Sequence, residues 1–366
     1  MINKSPLFDI QQAAGAVFMQ SGGLEMARSY GNPTLELQAV RKQSGLIDQS
    51  HRGKLRLRGK DRTDFLHGMV TNDIKKLTPG TGLYAVFTNE KAKMLSDARI
   101  YCLTDALWID LEPEVTEKIL KHLDKYTLAS DVTIENLTEV FGLLSIYGPS
   151  SQGIVTQMTG SEAPTKELST VTFFLDGVRS FAARNEIVGE AGYDLYIPID
   201  RMVPTWNRLI GIGEPCGLRP VGLDALDSLR IEAGTPRYGI DMDESNFPME
   251  TGLEKKAISY TKGCYIGQET IARADAQGRM NRKLMGLELT AKTVPAKGLP
   301  ILAPSSVSGG PERVVGNVTS SAESPTLGRV IAMGYLHRDF AEPGKEVTIE
   351  GKPAKVVSLP FFTRSY

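Results

Sequence analysis

The residues most able to do chemistry lie in the segment Lys262–Glu269, whose sequence is KGCYIGQE. Gly263 and Gly267 bracket Cys264, and such glycines are typical of backbone that turns tightly or approaches another group closely. Lys262 stands two positions before the cysteine, and a nearby cation favours the reactive thiolate. A lone cysteine is also often an inert packing residue, and no histidine close in sequence pairs with this one. The sequence leaves both interpretations of Cys264 open.

A second set of candidates consists of carboxylates in strand-like segments. Asp97 lies in the run 94–103, and a carboxylate in a cleft can orient an amine or act as a base. Glu190 and Asp194 lie on either side of Tyr193 and place two carboxylates around an aromatic ring. The alternatives are an ordinary exposed aspartate at the first place and a surface turn at the second.

The sequence lacks the residues that several other kinds of functional site require. The four histidines (51, 67, 122 and 337) show neither i,i+4 nor HExxH spacing, and the three cysteines (102, 216 and 264) form no CxxC pair. A tetrahedral zinc site and an iron–sulfur cluster bound by this chain are therefore not expected. The sequence also lacks the GxGxxG, GxxxxGK[ST] and GxSxG motifs of dinucleotide, P-loop and hydrolase sites. We predict no metal in this chain.

Bulk composition narrows the class of protein and its partners. At 366 residues the chain is too long for one ordinary core, which predicts two or three domains. The 42 basic and 43 acidic side chains nearly cancel, so we expect neither nucleic acid nor a membrane as a partner. We find no signal-peptide pattern and no run of about 18 apolar residues. With three scattered cysteines, these features predict a cytoplasmic location.

The elements that must position these residues indicate an α+β fold. Residues 54–58 alternate polar and apolar side chains, which predicts a half-exposed strand, and Asp61 can cap the helix that follows. An earlier helical pattern starts at Asn32, and Gly45 can stop it. Further strands are predicted at 83–88, 94–103 and 107–111, and a helix at 114–128. This order of strand, helix, strands and helix is typical of α+β proteins and not of regular βαβ alternation.

The remaining chain predicts a second α+β domain and a small C-terminal β-barrel. Strand-like runs occur at 141–144, 171–174 and 193–197, and a helix is predicted at 224–233. From Arg282 onward, short strands are separated by Gly, Pro and Ser, and the step Glu350–Lys352 is typical of a hairpin. We therefore predict domains at 1–140, 141–281 and 282–366, with the KGCYIGQE loop in the second domain.

Several segments resemble a folate-binding superfamily. It contains the glycine-cleavage T-protein, an aminomethyltransferase also called GcvT, and the YgfZ proteins of iron–sulfur enzyme maintenance. The similar segments are 37–51, 59–77, 229–234, 238–244 and 360–362. Lys262–Glu269 matches the YgfZ signature, which T-proteins lack, so the chain is identified as a member of the YgfZ branch with a T-protein-like body. The resemblance implies a clover leaf of three domains around a central channel that binds tetrahydrofolate or its one-carbon derivative.

The resemblance also implies roles for individual residues. Tyr84 and Asp97 stand where the T-protein has its pterin-contacting tyrosine and the catalytic aspartate that aligns the folate nitrogen. Asp194 stands where an acidic residue holds the pterin ring, and it is one methylene shorter than the family's residue. The implied catalytic set is Cys264, Asp97 and Lys262, and the implied folate-binding set is Tyr84, Asp97, Arg99, Tyr101, Glu190, Asp194 and Arg230.

The chain departs from the T-protein pattern at three further positions. Ile187 replaces a tyrosine that contacts the ring, and Leu226 replaces an arginine, although Arg230 remains. Ser96 replaces the first aspartate of the usual pair. These departures weaken the expectation of the T-protein reaction more than that of folate binding.

Three functions remain open after these considerations. The leading hypothesis is a tetrahydrofolate-binding protein that matures or repairs iron–sulfur client enzymes through Cys264. The alternative is a tetrahydrofolate-dependent aminomethyl or one-carbon transferase with a lipoyl carrier protein as partner, in which Asp97 orients the amine and handles the proton. The third is a scaffold that docks clients through its basic loop. In the first two, lysines 91, 93, 255 and 256 are candidates to attract the glutamate tail of folate.

Overall fold

The N-terminal segment forms a small sheet followed by a capped helix. The computed structural model describes residues 3–277, 280–303 and 312–363. Strands β1 (Asn3–Lys4), β2 (Val17–Ser21) and β3 (Leu24–Ser29) pair in the order β1-β3-β2, with α1 (Phe8–Ala13) after β1. The side chain of Asn32 accepts hydrogen bonds from the first amides of α2 (Pro33–Lys42) and so caps this helix. Gly45 does not stop the helix, which ends at Lys42; it lies in β4 (Ser44–Asp48).

Five antiparallel strands form the first large sheet. They are β5 (Gly53–Arg58), β6 (Gly82–Thr88), β7 (Met94–Cys102), β8 (Leu107–Leu111) and β9 (Thr133–Asn136), in the order β6-β7-β8-β5-β9. Helices α3 (Arg62–Met69) and α4 (Thr116–Asp124) contribute buried residues to the core that these strands share. The predicted strands at 54–58, 83–88, 94–103 and 107–111 are confirmed. The predicted helix at 114–128 is shorter, because 3₁₀ turns flank α4 on both sides.

The second sheet combines strands that lie far apart in sequence. Its strands are β4, β10 (Phe141–Tyr147), β11 (Thr170–Leu175), β12 (Val178–Arg184), β13 (Gly192–Pro198) and β14 (Leu218–Pro220), in the order β11-β12-β13-β10-β4-β14. β4 pairs antiparallel with β10 and parallel with β14. Helices α5 (Ser151–Thr159) and α6 (Met202–Gly213) pack against this sheet. No helix within the described ranges has the length and apolar character to cross a membrane.

The segment between the second sheet and the barrel packs back on the first sheet. It contains α7 (Leu223–Glu232), α8 (Glu254–Ala257) and α9 (Gln268–Gln277). Tyr238, Ala257, Tyr265 and Ile271 are buried in the core of the first sheet. Packing therefore joins β4 to the second sheet and residues 238–271 to the first sheet. The domain boundaries at 140 and 281 stay a prediction.

The C-terminal strands close into a six-stranded barrel. They are β15 (Arg282–Leu289), β16 (Pro300–Ala303), β17 (Arg313–Ser324), β18 (Arg329–His337), β19 (Glu346–Ile349) and β20 (Lys352–Val357), in the order β15-β18-β17-β16-β19-β20. The predicted hairpin is confirmed: Ile349 pairs with Lys352 across a two-residue turn in which Glu350 and Gly351 have φ of 49° and 71°. The chain thus has an α+β fold with a C-terminal β-barrel, as the sequence predicts.

A buried carboxylate joins the barrel to the rest of the chain. Asp241 has no exposed side-chain surface and pairs with Arg230 of α7. It also accepts hydrogen bonds from the hydroxyls of Thr319 and Ser320 in β17, each at 2.6 Å. Removing one partner of such a buried pair leaves an uncompensated charge, so this contact fixes how the barrel docks.

Candidate functional site

One large cavity lies where the first sheet, the second sheet and the barrel meet. Its volume is about 670 Å³, within the range of small-molecule sites. Tyr84 and Asp97 line it from the first sheet, Asn185 from the loop after β12, and Met285 from the barrel. The apolar part of the wall includes Ile187, Leu223, Leu226, Met285 and Phe362. A flat ligand with a few directional polar groups fits this combination of walls.

The polar end of the cavity contains a hydrogen-bonded pair from neighbouring strands. Tyr84 of β6 lies opposite Arg99 of β7, so its side chain is on the same sheet face as that of Asp97, two residues earlier. The Tyr84 hydroxyl donates to Oδ2 of Asp97 at 2.6 Å. Oδ1 of Asp97 is buried and has no hydrogen-bond partner among the described residues. One carboxylate oxygen is therefore held in place while the other is available to a ligand.

Burial changes the acid–base properties of this pair. It raises the pKa of Asp97, and the hydrogen bond from Tyr84 lowers it only in part. The pKa of Tyr84 rises as well, because burial and the neighbouring carboxylate both disfavour the phenolate. Tyr84 therefore stays a donor, and Asp97 can accept a proton more readily than an exposed aspartate can.

A cluster of buried ion pairs forms part of the cavity wall: Arg52, Glu112 and Arg237 line the cavity, and Asp110 lies behind them. Arg52 donates to Asp110 at 2.8 Å and also pairs with Glu112, and Arg237 donates to Glu112 at 2.9 Å. Burial alone would raise the pKa of both carboxyl groups, but the arginines outweigh it and hold both pKa values below their usual range. The sequence analysis missed this cluster. Asp110 is the only charged residue in the apolar run 107–111, which was the available signal.

Asp194 lies behind the cavity and does not line it. Its carboxylate is fully buried and accepts hydrogen bonds from Ser145 at 2.5 Å, Tyr147 at 3.1 Å and Asn185. Arg99 is a further partner at 3.4 Å. Every residue of β13 is buried, so the strand offers no face to the cavity on which this carboxylate could meet a ligand. The structure instead gives Asp194 the position of a support for Asn185, which does line the wall.

The other predicted folate contacts divide into two groups. Arg99 and Arg230 line the cavity together with Tyr84 and Asp97. Tyr101 does not, because it is packed against Phe181 and Tyr196 in an aromatic cluster. Glu190 is buried and paired with Arg41 at 3.4 Å. The four lining residues remain candidate ligand contacts, and the three others lie away from the cavity.

The predicted reactive loop lies outside this cavity. Cys264 is exposed and is not among the lining residues. The ammonium of Lys262 is buried and donates to the carbonyls of His67, Val70 and Asn72, and burial lowers its pKa to about 8. Lys262 therefore anchors the loop to α3 and the turn after it, and its charge is directed at backbone oxygens.

His51 is a cavity residue that the sequence analysis did not select. Its side chain lines the cavity, and Nδ1 has no partner among the described residues. Burial lowers the pKa of His51 to about 3; Glu112 opposes this shift, and the nearby cations add to it. The imidazole is therefore neutral at physiological pH. Within the described residues, no group of three or more His, Cys, Asp or Glu side chains could hold a metal ion.

Comparisons with known proteins cover the whole chain. The GCVT N-terminal domain family matches residues 7–262, and the glycine cleavage T-protein C-terminal barrel domain matches 282–363. Aminomethyltransferases of Desulforamulus reducens and Streptomyces coelicolor are each 32% identical, over 99% of this chain and 99% and 98% of theirs. That of Thermosynechococcus vestitus is 33% identical over 99% of this chain and 96% of its own. The crystal structure of aminomethyltransferase T from Bartonella henselae superposes with a TM-score of 0.90 at 24% identity, covering 100% of this chain and 99% of that one.

Proposed function

The chain belongs to the glycine cleavage T-protein family, and from this premise we propose that it is a tetrahydrofolate-dependent aminomethyltransferase. The observation that carries the proposal is the free Oδ1 of Asp97, buried in a cavity of suitable volume and facing no competing donor among the described residues. The full-length similarity to proteins named aminomethyltransferase supports this activity over the others considered.

The described side chains fit a reduced pterin with its glutamate tail. Leu226 and Ile187 offer apolar walls for a flat ring, and Asp97 and Asp227 offer acceptors for ring and amino N–H groups. Asp227 lines the cavity, unlike Asp194; Arg230 holds its Oδ1 at 2.8 Å, so Oδ2 is the oxygen assigned to the ligand. Lys255, Lys256 and Lys283 line the same cavity and supply positive charge for the tail, whereas Lys93 lies in a different groove.

The roles of the protein groups follow from their hydrogen bonds. Tetrahydrofolate supplies the nucleophilic amine that receives the one-carbon unit from a lipoyl carrier, with release of ammonia. Asp97 accepts a hydrogen bond from that amine at Oδ1 and so fixes its direction, while Tyr84 holds the other oxygen. Because burial raises the pKa of Asp97, the carboxylate can also take up the proton that the amine loses. The apolar walls exclude water from the reacting atoms.

A turnover assay with an aminomethyl-loaded lipoyl carrier protein tests this proposal. Purified protein should release ammonia in a tetrahydrofolate-dependent reaction, and Asp97→Asn should lower the rate by about 10² to 10⁴-fold. Asp64→Asn, which changes an exposed aspartate paired with Lys75, is the matched control and should leave the rate unchanged. Absence of turnover by the wild type, or an Asp97→Asn variant with full activity, would count against the proposal.

A second candidate function rests on the exposed Cys264. The loop that carries it is anchored by Lys262, and its sequence resembles the signature of the YgfZ branch, which supports a role in maturing or repairing iron–sulfur enzymes. Cys264→Ala should then lower the activity of an iron–sulfur client in cells and leave aminomethyl transfer intact. Cys216→Ala, at another exposed cysteine, is the control. Equal client activity in all three strains would exclude this role.

A further inference from the structure

A second cavity lies between the outer face of the barrel and the segment around the β6–β7 turn. We call it the barrel groove; it is lined by Lys93, Glu250, Asn281, Arg282, residues 313–317, Tyr335, His337 and Phe340. Its volume is about 570 Å³, and it shares none of its described lining residues with the first cavity. Ligand sites often form at junctions of this kind, where two packed units meet.

Positive charge dominates the lining of the barrel groove. Lys93 Nζ and Arg282 Nη2 donate to the same acceptor, the carbonyl of Ser245, at 2.7 and 2.9 Å. Two cations held this close repel each other. Glu250, at 3.1 Å from Arg282, and Asp243, which lies outside the lining, both attract them. The guanidinium of Arg313 lies 4.8 Å from the ring of Phe340.

Arg313 adds a third cation that no carboxylate neutralises within the part of the chain that the structure describes. Its planar fork of donors matches the oxygens of phosphate or carboxylate. Since Glu250 is the one carboxylate in the lining, the described groove walls have an excess of two positive charges over negative ones.

A buried hydroxyl gives an independent indication of a ligand. Tyr335 is 4% exposed, and its hydroxyl has no hydrogen-bond partner among the described residues. The guanidinium of Arg282 lies 5.0 Å from the ring of Tyr335, and the carboxylates of Asp241, Glu250 and Asp243 also act on the phenol, so charges of both signs surround it. A buried donor without an acceptor is costly, and a bound oxyanion would supply the acceptor.

From these observations we propose that the barrel groove binds a small organic phosphate, with the phosphate group between Arg282, Arg313 and Tyr335. A phosphate monoester dianion matches the excess of two positive charges, and its oxygens can accept from the guanidinium donors and the phenol. Inorganic phosphate alone would leave most of the groove empty, and the ring of Phe340 offers a wall for an organic body. This site goes beyond the proposed transferase function and does not depend on it.

Calorimetric titration with glycerol 3-phosphate tests the proposal in the full-length protein. The wild type should bind with one-site saturation, and Arg313→Gln should weaken binding about tenfold or more, because charge-assisted hydrogen bonds are lost. Tyr335→Phe should weaken it several-fold while preserving the packing of the ring. Arg338→Gln, which removes a nearby exposed charge outside the groove, should change the affinity less than about twofold. Thermal melting of each variant verifies folding.

Four outcomes would overturn the proposal. The first is the absence of saturable heat up to about 10 mM ligand, which excludes even a weak specific site. The second is unchanged affinity in both Arg313→Gln and Tyr335→Phe. The third is equal or tighter binding of succinate, and the fourth is competition with tetrahydrofolate. The third would assign the groove to dicarboxylates, and the fourth would assign the binding to the first cavity. Persistence of glycerol 3-phosphate binding at saturating tetrahydrofolate supports a separate site.

Discussion

Whether a buried carboxylate at the centre of this protein can bind a ligand depends on how many hydrogen bonds it already accepts from the protein. Asp110 and Glu112 are satisfied by arginines, and Asp194 by hydroxyls and an amide. Asp97 differs because a single tyrosine holds one oxygen and the other is free. A carboxylate with an unused, buried acceptor is positioned to serve a ligand, whereas the saturated ones position the walls.

His51 gives a residue-scale prediction about pH and stability. Burial lowers its folded pKa to about 3 from 6.5, so the folded state binds fewer protons than the unfolded state below pH 6.5. The stability that the neutral ring contributes is present above pH 6.5 and is lost as the pH falls towards 3. The unfolding free energy should therefore drop by about 1.4 kcal/mol per pH unit from this group alone.

Chemical denaturation of His51→Gln at pH 6.5 and pH 5 measures this contribution. Between pH 6.5 and pH 5, the unfolding free energy of the variant should fall by about 2 kcal/mol less than that of the wild type. His337→Gln, at a half-exposed histidine on the barrel, is the control and should follow the wild type. Equal losses in wild type and His51→Gln would show that the ring is not buried in neutral form.

At the scale of elements, backbone hydrogen bonds join the segment 259–267 to α3 and to the turn that follows it. The amide of Ser259 donates to Thr71, and that of Ile266 donates to Gly68. Gly267 has φ of 86°, and a Cβ there would lie 2.7 Å from the carbonyl oxygen of Asn89, so this position requires glycine. Gly267 thus serves close packing, whereas a Cβ at Gly263 would meet only His67, at 3.8 Å; the thiol of Cys264 is exposed at the surface.

Lys262→Met should release this segment. The variant leaves three backbone acceptors without their charged donor, which should lower the unfolding free energy by about 2 to 3 kcal/mol. Hydrogen exchange in residues 259–271 should accelerate relative to the rest of the chain. Lys255→Met, which removes a neighbouring lysine that makes no described hydrogen bond, is the control. Unchanged exchange in Lys262→Met would contradict the anchoring role.

Local sequence patterns predicted most helices and strands. Pairing between distant strands was not predicted. The alternation at 54–58 and the Gly-Pro-rich spacing after Arg282 depend only on neighbouring residues, and both predictions are confirmed. The pairing of β4 with β10 joins residues about 100 positions apart, such as Gly45 and Tyr147, which local periodicity does not encode. Helix α6 was missed although Met202, Trp206 and Leu209 have helical spacing and are buried.

At the scale of the whole molecule, the barrel completes the cavity wall and is held by Asp241. Asp241→Asn should lower the unfolding free energy by about 1 to 3 kcal/mol, because Arg230 loses its buried partner and keeps only the partly exposed Asp227, at 2.8 Å. Calorimetry should also show the barrel melting earlier than the remainder. Asp243→Asn, at a partly exposed carboxylate on the same segment, is the control. A single unshifted transition in Asp241→Asn would contradict this account of docking.

The candidate site was only partly predictable because it assembles from all parts of the chain. Family resemblance placed Tyr84 and Asp97 at the site, and the structure puts them on one face of two adjacent strands. Asp194 and Tyr101 were placed there by the same resemblance, but neither lines the cavity. The strand of Asp194 is buried throughout, and Tyr101 packs in an aromatic cluster. His51 contributes from outside that hairpin, and no local pattern marked it.

The central claim is that the cavity between the two sheets and the barrel binds tetrahydrofolate, and calorimetric titration tests it most directly. The wild type should show saturable one-site binding. Ile187→Trp, which fills the apolar wall, should weaken it about tenfold or more, and Val203→Trp on an exposed surface should not. Absence of saturable binding by the wild type, or equal affinity in Ile187→Trp, would contradict the account.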